Sequence, residues 1–217
     1  MPRSARLDPS LPARAGRHDP RMPLDVLPRD SALVLVDLQH GITAMPTVHD
    51  ANLVVTRAAE LAQAFRARAM PVARVRVAFA ADGADAVRVP VDEQPPPMAV
   101  GPDFATWRAE LGSSPRDIEI TKRGWDAFFG TELDLQLRRR GVRCIVLAGI
   151  RTCIGVESTA RTGFALNYAQ VVATDAISDT SAEAHDNSVR RILPRLARLA
   201  RSAEIIAALP ASSAPAR

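Results

Sequence analysis

Two segments of the chain are apolar along almost their whole length: "ALVLVD" at 32–37 and "VRCIVLAG" at 142–149. A strand with apolar side chains on both of its faces is buried on both, which is typical of a parallel sheet that helices cover on each side. Because strand-like and helix-like segments alternate along the rest of the chain, we predict an α/β fold of this kind. In such folds, ligands bind at the carboxyl ends of the strands.

The remaining elements are predicted from hydrophobic periodicity and from residues that begin or end helices. Strands are predicted over 71–79, 117–121 and 169–175. The helical segments are 50–69 with Asp50 as its cap, 131–141 with Thr131 as its cap and Gly141 as its stop, 157–168, and 181–198 with an interruption at Pro194; a short final element covers 202–209. Residues 80–102 form a predicted long loop, which in a compact domain is usually functional or contacts another subunit.

A chain of 217 residues, 47% of them hydrophobic, fits one domain with a full core. Residues 1–28 are rich in proline and arginine and lack the apolar stretch of a secretory signal. We therefore predict an extended or disordered arm over 1–28, a domain over 29–209 and a flexible tail over 210–217.

Composition also narrows the range of partners. The formal net charge is +4, but the arginines are spread along the chain among nearly as many acids, so no nucleic-acid partner is predicted. The sequence has no apolar run long enough to cross a bilayer, so no membrane partner is predicted. Two cysteines and no secretory signal favour a reducing cytoplasm. The expected partner is a small-molecule substrate.

Lys122 is the only lysine among 28 lysine and arginine residues. Lysine is a compact cation whose pKa responds to burial, whereas arginine presents a wide, flat fork that stays charged. Lys122 follows one predicted strand, Asp37 ends another, and the turn "GIRTCIG" at 149–155 follows a third, so all three are expected at one rim of the sheet. Asp37 and Lys122 form either a structural ion pair or an acid–base pair. The turn either offers backbone N–H groups to an oxyanion or is only a tight turn.

Three stretches of the sequence, "ALVLVDLQHGI", "KRGWDAFFGTELDLQLRRRGVRCIVLAGIRTCIGVESTAR" and "YAQVVATDAISD", resemble the isochorismatase-like hydrolase superfamily, and its YecD-type bacterial branch in particular. The resemblance covers roughly residues 31–209, in order and with the expected spacings. It implies a three-layer α/β/α sandwich with a parallel, six-stranded, Rossmann-like sheet. It also implies a hydrolase that works without a cofactor and assembles as a homo-oligomer.

Most members of that superfamily are cysteine hydrolases of amides, with an Asp–Lys–Cys triad. Asp37 and Lys122 match the first two positions. Alignment on Thr152 and the "VESTAR" run places Gly155 at the nucleophile position and Cys153 two residues earlier. Cys153 is either a relocated nucleophile near a helix N-terminus or a small packing residue. Catalysis tolerates little displacement of a reacting group, which argues against relocation.

True isochorismatases are similar to this chain in having glycine at the nucleophile position. The resemblance implies their chemistry, in which Asp37 is the general acid that protonates a vinyl ether, Lys122 holds and tunes it, and water attacks the oxocarbenium ion. It also implies a non-proline cis peptide bond between Ile150 and Arg151, with the backbone at Arg151 and Gly155 lining the pocket. Arg151 replaces the tyrosine of characterised isochorismatases and either binds a substrate carboxylate or points to solvent. Isochorismate is therefore only one candidate substrate.

Several other side chains have two interpretations each. Trp125, Phe128 and Phe79 either line an apolar pocket or belong to the core, and Cys153 and Ile150 are placed beside them as substrate contacts. His40 and His49 lack the spacing of metal ligands, so no metal site is predicted.

Three functional hypotheses remain. The first is a hydrolase without a covalent thiol, in which Asp37 and Lys122 carry the chemistry. The second is a cysteine amidohydrolase that uses Cys153. The third is a non-catalytic protein that binds a small molecule, although such a protein has no evident need for both Asp37 and Lys122.

Overall fold

The computed structural model describes residues 24, 26–93 and 100–211. Most of the predicted arm, and the predicted tail from residue 212 on, lie outside the described residues. Leu27 is only 4% exposed and packs in the core. Its backbone N–H donates to the carbonyl oxygen of Ala208 at 2.8 Å. The packed body therefore includes Leu27, which lies before the predicted start of the domain.

A six-stranded parallel sheet forms the centre of the fold, which confirms the predicted fold class. The strands are β1 (Ser31–Val36), β2 (Val72–Val77), β3 (Ile118–Lys122), β4 (Cys144–Ile150), β5 (Ala169–Ser178) and β6 (Arg198–Ala200). Their order across the sheet is β3-β2-β1-β4-β5-β6. Every residue of β1 and of β4 is buried, as expected for the two apolar segments at the middle of the sheet.

Helices cover both faces of the sheet. They are α1 (His40–Thr43), α2 (Ala51–Arg66), α3 (Leu133–Arg139), α4 (Glu157–Ala165), α5 (Ala182–Asn187) and α6 (Ser202–Ala208). Leu33 and Leu35 of β1 pack in a core shared with α2 and α6. Val34 and Val36 point to the opposite face and pack in a core shared with α3 and α4. None of the helices in the described residues is both long and apolar enough to cross a bilayer.

The helix boundaries agree with the predicted signals in part. The Asp50 side chain accepts a hydrogen bond from Asn52 N–H at 2.8 Å and caps α2. Gly141 has a φ of 71°, in the left-handed region, just after α3. The prediction that Thr131 is the cap of this helix is wrong by one residue, because α3 begins at Leu133 and the cap position is Glu132. Thr131 Oγ1 nevertheless accepts a hydrogen bond from the N–H of Leu133 at 3.2 Å.

The predicted helix over 181–198 is wrong in its second half. After α5 the chain forms a π-helical turn (Ser188–Ile192) and a 3₁₀ turn (Leu193–Arg195), and then enters β6. Pro194 cannot donate a backbone hydrogen bond, so a regular helix cannot continue through it. A three-residue edge strand is too short to leave a recognisable period in the sequence.

The chain changes direction across the sheet between β1 and β4. It runs outward from β1 through β2 and β3, then returns to place β4 on the other side of β1. In open parallel sheets, such a switch point opens a crevice at the carboxyl ends of the two strands. Gly149, with a φ of 143°, lets the end of β4 approach β1, because a Cβ there would lie 2.1 Å from the carbonyl oxygen of Val36.

Candidate active site

Asp37 follows β1 directly and stands at this switch point. Its φ of 54° is unusual for a residue other than glycine and is typical of functional positions. The residue is 5% exposed, and the Oδ1 atom of its carboxyl group is buried with no hydrogen-bond partner among the described residues. Burial raises the pKa of this carboxyl from 3.8 to about 6, although the charge and hydrogen bond of Lys122 and the N–H of Val77 act to lower it.

Lys122 ends β3 and reaches past β2 to Asp37. Its Nζ lies 2.8 Å from Asp37 Oδ2. The same ammonium donates to the carbonyl oxygens of Gly124 at 3.0 Å and Trp125 at 2.8 Å. Three donors thus meet three acceptors, and the residue is 2% exposed. Such a site suits a compact ammonium, whereas a planar guanidinium would need more room. This geometry accounts for a single lysine in a chain that otherwise uses arginine.

Gly155 lies in the π-helical turn (Thr152–Val156) that connects β4 to α4, directly beside the ion pair. A Cβ at Gly155 would be 3.1 Å from Asp37 Oδ2 and 2.9 Å from Cγ1 of Val36. The position that the family resemblance assigns to the usual thiol therefore lies beside the Asp37 carboxyl. At that position this chain has only backbone.

The turn around Gly155 is fastened to a second buried carboxylate, Asp179. The bond between Ile150 and Arg151 is cis. Arg151 Nε donates to Asp179 Oδ1 at 3.2 Å, and the backbone N–H of Cys153 donates to Asp179 Oδ2 at 2.7 Å. The N–H of Thr180 donates to Oδ1 at 2.7 Å. Burial raises the pKa of Asp179, but the hydrogen bonds from Cys153, Thr180 and Arg151 outweigh it, so the pKa is lowered.

The thiol of Cys153 interacts with the carboxylate of Asp179 and not with that of Asp37. Burial, and then the hydrogen bond to Asp179 and its charge, raise the pKa of the thiol to about 12. A thiol with such a pKa stays protonated near neutrality, and the thiolate is the nucleophilic form.

Asp179 was not recognised in the sequence, although a signal for it existed. It follows the end of β5 as Asp37 follows β1. The predicted strand stopped at residue 175, because β5 continues through an irregularity in its pairing with β4 that has no sequence signature. An acid directly after a buried strand was the criterion that identified Asp37, and the same criterion applied to the full length of β5 finds Asp179.

Two more polar residues that support the site were missed. The fully buried Gln39 side chain donates to the carbonyl oxygens of Val77 and Phe104 at 2.8 and 2.9 Å, and accepts from Val77 N–H at 2.8 Å. It thereby fixes the end of β2 next to Asp37. His185 of α5 lies with Nδ1 3.0 Å from Oγ1 of the buried Thr152, so it connects α5 to the turn. Neither residue belongs to a recognisable motif.

The three aromatic candidates differ in their burial and in what they contact. Phe128 is buried and stacks on Tyr168 with ring centroids 5.6 Å apart, so it is a core residue. The Trp125 side chain is 64% exposed, and only its carbonyl oxygen takes part in the site. Phe79 is half-buried against the core that includes α2. These placements favour the core interpretation for Phe128 and Phe79 over a pocket wall. Among the described residues, no cluster of three His, Cys, Asp or Glu side chains is arranged to hold a metal ion.

Comparison with known proteins shows which proteins this chain is similar to. The isochorismatase domain family matches residues 31–204. The isochorismatase family protein YecD of Escherichia coli O157:H7 is 48% identical over 187 residues, which cover 86% of this chain and all of YecD. The family protein YwoC of Bacillus subtilis is 46% identical over 76% of this chain and 87% of its own length. The ureidoacrylate amidohydrolase RutB of Variovorax paradoxus is 33% identical over 71% of each chain.

The solved structures point the same way. An isochorismatase family protein from Burkholderia thailandensis superposes with a TM-score of 0.81 at 45% identity, over 85% of this chain and 97% of its own. The N-carbamoylsarcosine amidase of Thermoplasma acidophilum superposes with a TM-score of 0.63 at 25% identity, over 79% of this chain and 96% of its own. The chain therefore belongs to the isochorismatase family of hydrolases.

Proposed function

We propose that this hydrolase acts on a small molecule such as a vinyl ether, with Asp37 as general acid and without a covalent thiol intermediate. The observation that carries the proposal is the state of the Asp37 carboxyl. Its Oδ2 is held by Lys122 at 2.8 Å, while Oδ1 is buried and has no partner among the described residues. A carboxyl with a pKa of about 6 is well matched to proton transfer near neutral pH.

The reaction needs only this carboxyl and water. The proton on Asp37 moves to the terminal carbon of the vinyl group, and the electrons of the double bond form the new C–H bond. Water adds to the resulting oxocarbenium carbon and returns a proton to the Asp37 carboxylate. The hemiacetal or hemiketal so formed then breaks its C–O bond to release a carbonyl compound and an alcohol. Gly155 suits this route because a side chain there would crowd Oδ2.

Lys122 has an electrostatic role in this scheme. When Asp37 gives up its proton, the ammonium at 2.8 Å stabilises the carboxylate that forms. Because burial raises the pKa of Asp37 while Lys122 lowers it, the two effects together keep the pKa near 6. Without Lys122 the carboxyl would be a weaker acid.

The alternative of a cysteine amidohydrolase is favoured by the 33% identity to an amidohydrolase and by the similarity to the structure of an amidase at 25% identity. Against it stands the Cys153 thiol, with its pKa of about 12 and its hydrogen bond to Asp179. The binding-protein hypothesis is not retained, because the family is one of hydrolases.

Hydrolysis in D₂O separates the two chemistries. We expect wild-type protein to convert a vinyl ether, with isochorismate as one member of the panel, into a product whose new methyl or methylene group carries one deuterium. Cys153→Ala should give the same product at a similar rate, and Asp37→Asn should give almost none. Turnover of amides such as ureidoacrylate or nicotinamide that disappears in Cys153→Ala would instead establish the thiol route.

The proposal includes a homo-oligomer, as the family resemblance implies. The exposed aromatic side chains of Trp125 and Phe129, 64% and 85% accessible, support it because large apolar groups are costly to leave in water. Light scattering on the purified full-length chain, compared with Phe129→Asp, measures whether this surface is buried between copies.

A further inference from the structure

Arg151 is a cation directly after β4, at the switch point, and its donors are not all used. Its Nε is bound to Asp179 Oδ1 at 3.2 Å, and its side chain is 33% exposed. Within the part of the chain that the structure describes, neither terminal nitrogen of Arg151 has a hydrogen bond. The two N–H groups of Cys153 and Thr180 already bind Asp179. The guanidinium therefore has a fixed orientation and open donors.

Arg151 and Asp37 lie at the same rim of the sheet. Val36 is paired with Gly149, so Asp37 and Arg151 are the residues just past the ends of two adjacent strands. Asp179 follows β5 on the other side of β4, and the axes of β1 and β5 are about 10 Å apart at two strand spacings. A small molecule of about six to eight heavy atoms spans from a guanidinium on one flank of β4 to a carboxyl on the other.

The charges of the site favour an anion when Asp37 is protonated. Asp179 balances Arg151, and ionised Asp37 balances Lys122. In the protonated form of Asp37, which is the reactive form, one positive charge is left uncompensated among these four residues. An anionic group bound nearby both offsets that charge and favours the protonated carboxyl.

We infer that Arg151, oriented by Asp179, is a carboxylate-binding subsite, and that the substrate is a small acid whose carboxylate lies about 5–10 Å from the atom that Asp37 protonates. The planar fork of arginine matches the two oxygens of a carboxylate, and its open terminal nitrogens allow that pairing. This inference rests on the proposed function, which identifies the end of the substrate that Asp37 protonates.

A purely structural role for Arg151 is the competing explanation, and the chain contains a matched control. Arg143 precedes the other end of β4 and also binds an aspartate through Nε, with 2.8 Å to Asp30 Oδ2 and a side chain that is 82% exposed. If Arg151 serves only as a counter-ion, then Arg151→Gln and Arg143→Gln should have equivalent effects on ligand recognition.

The test uses vinyl ethers of the form CH₂=CH–O–(CH₂)ₙ–COO⁻, with n from about 1 to 4 to cover the expected span, and the matching neutral amides. Hydrolysis releases acetaldehyde, which alcohol dehydrogenase reports, and a hydroxyalkanoate. For wild type and Arg143→Gln, kcat/KM should favour the best acid over its amide by about 10–100-fold, the range expected for hydrogen bonds to a charged group. Arg151→Gln should reduce that ratio to near one, mainly through KM, and Arg151→Lys should restore part of it.

Calorimetric binding of the hydroxyalkanoate products and their amides gives a second readout that does not need turnover. A preference for the acid in wild type that is lost in Arg151→Gln supports the subsite. Equal binding of acid and amide by wild type, or an acid preference that survives in Arg151→Gln, overturns it. Failure of the proposed function looks different: the acid is bound preferentially, but Asp37→Asn leaves hydrolysis unchanged.

Discussion

The two buried carboxylates of the site, Asp37 and Asp179, have similar positions and opposite chemistry. Each follows a buried strand directly, on either side of β4. Asp37 has one cation at 2.8 Å and one unpartnered oxygen, and its pKa is raised to about 6. Asp179 accepts from Arg151 and from two backbone N–H groups, and its pKa is lowered.

The difference shows that burial alone does not decide what a carboxylate does here, and that the number of donors matters as well. Burial raises the pKa of both groups. At Asp179 enough donors converge to overcome it, which leaves a permanent anion that anchors the turn. At Asp37 the donors are too few, which leaves a proton that can be exchanged. The comparison predicts that Asp37 variants lose activity while Asp179 variants lose stability.

The largest effect is expected for Asp37→Asn. Removal of the general acid should lower kcat/KM for a vinyl ether by about 10³-fold, within the range for acid–base catalysis. The thermal midpoint should change little, because removal of the costly buried carboxylate offsets the loss of its ion pair with Lys122, and the amide has the same shape and can still accept from Lys122. Steady-state kinetics with thermal unfolding measures both quantities. Near-normal activity in this variant would remove Asp37 from the chemistry.

Lys122→Arg tests the cation beside Asp37. We expect a folded protein with kcat/KM lowered by about 100-fold, because a planar guanidinium cannot bond to Asp37, Gly124 and Trp125 as the ammonium does. The matched control is Arg123→Lys, since the ion pair of that exposed neighbour within the described residues is with Asp85. The control should keep wild-type kinetics. Equal activities of the two variants would contradict the requirement for a compact cation.

The pH dependence of kcat/KM shows whether Asp37 donates or accepts the proton. A general acid must be protonated, so kcat/KM should fall about tenfold per pH unit above the pKa of Asp37, which is about 6. The residual activity of Asp37→Asn should lack this limb. Rates measured from pH 5 to pH 9 distinguish the proposal from its opposite, since a rate that rises through pH 6 identifies Asp37 as a base.

Asp179→Asn should cost about 2–3 kcal/mol of unfolding free energy at pH 7, because charged hydrogen bonds to Arg151 and Cys153 are lost in a buried place. The folded pKa of Asp179 is lowered, so its contribution is present above the unfolded value near 3.8 and is lost as the pH falls below it. Denaturant unfolding should show that the difference in unfolding free energy between wild type and Asp179→Asn is smaller at pH 3 than at pH 7. Asp30→Asn, whose partner Arg143 is exposed, is the control and should cost under about 1 kcal/mol.

Ionisation of Asp37 affects the stability of the fold in the opposite direction to ionisation of Asp179. Its folded pKa of about 6 lies above the unfolded 3.8, so its favourable contribution is complete below the unfolded value and is lost as the pH rises through 6. A difference of about two pKa units corresponds to roughly 3 kcal/mol. Asp37 therefore destabilises the fold at working pH. Such a carboxyl is selected for function and not for folding.

The sequence predicted the parts of this site that have local signatures. Apolar runs gave β1 and β4, and the acid after β1 with the single lysine gave the ion pair of Asp37 and Lys122. The switch point between β1 and β4 could not be derived from the pattern, because strand order depends on contacts between distant segments. Gln39 and His185 were missed for the same reason: each acts through a partner that is distant in the sequence, 38 and 33 residues away. Asp179 was missed because the predicted strand ended at residue 175, before the end of β5 at Ser178.

Cys153→Ala is expected to have the smallest effect. It tests whether Asp179 has a structural role while Asp37 has the catalytic one. The thiol serves Asp179, while the stronger bond to that carboxylate comes from the backbone N–H at 2.7 Å, which alanine keeps. Activity should therefore stay within about threefold of wild type, and stability should fall by no more than about 1 kcal/mol. A loss of 100-fold with the fold intact would mean that the thiol, in spite of a pKa near 12, is deprotonated during turnover. Asp179 would then act as a base for Cys153, and both carboxylates would be catalytic groups.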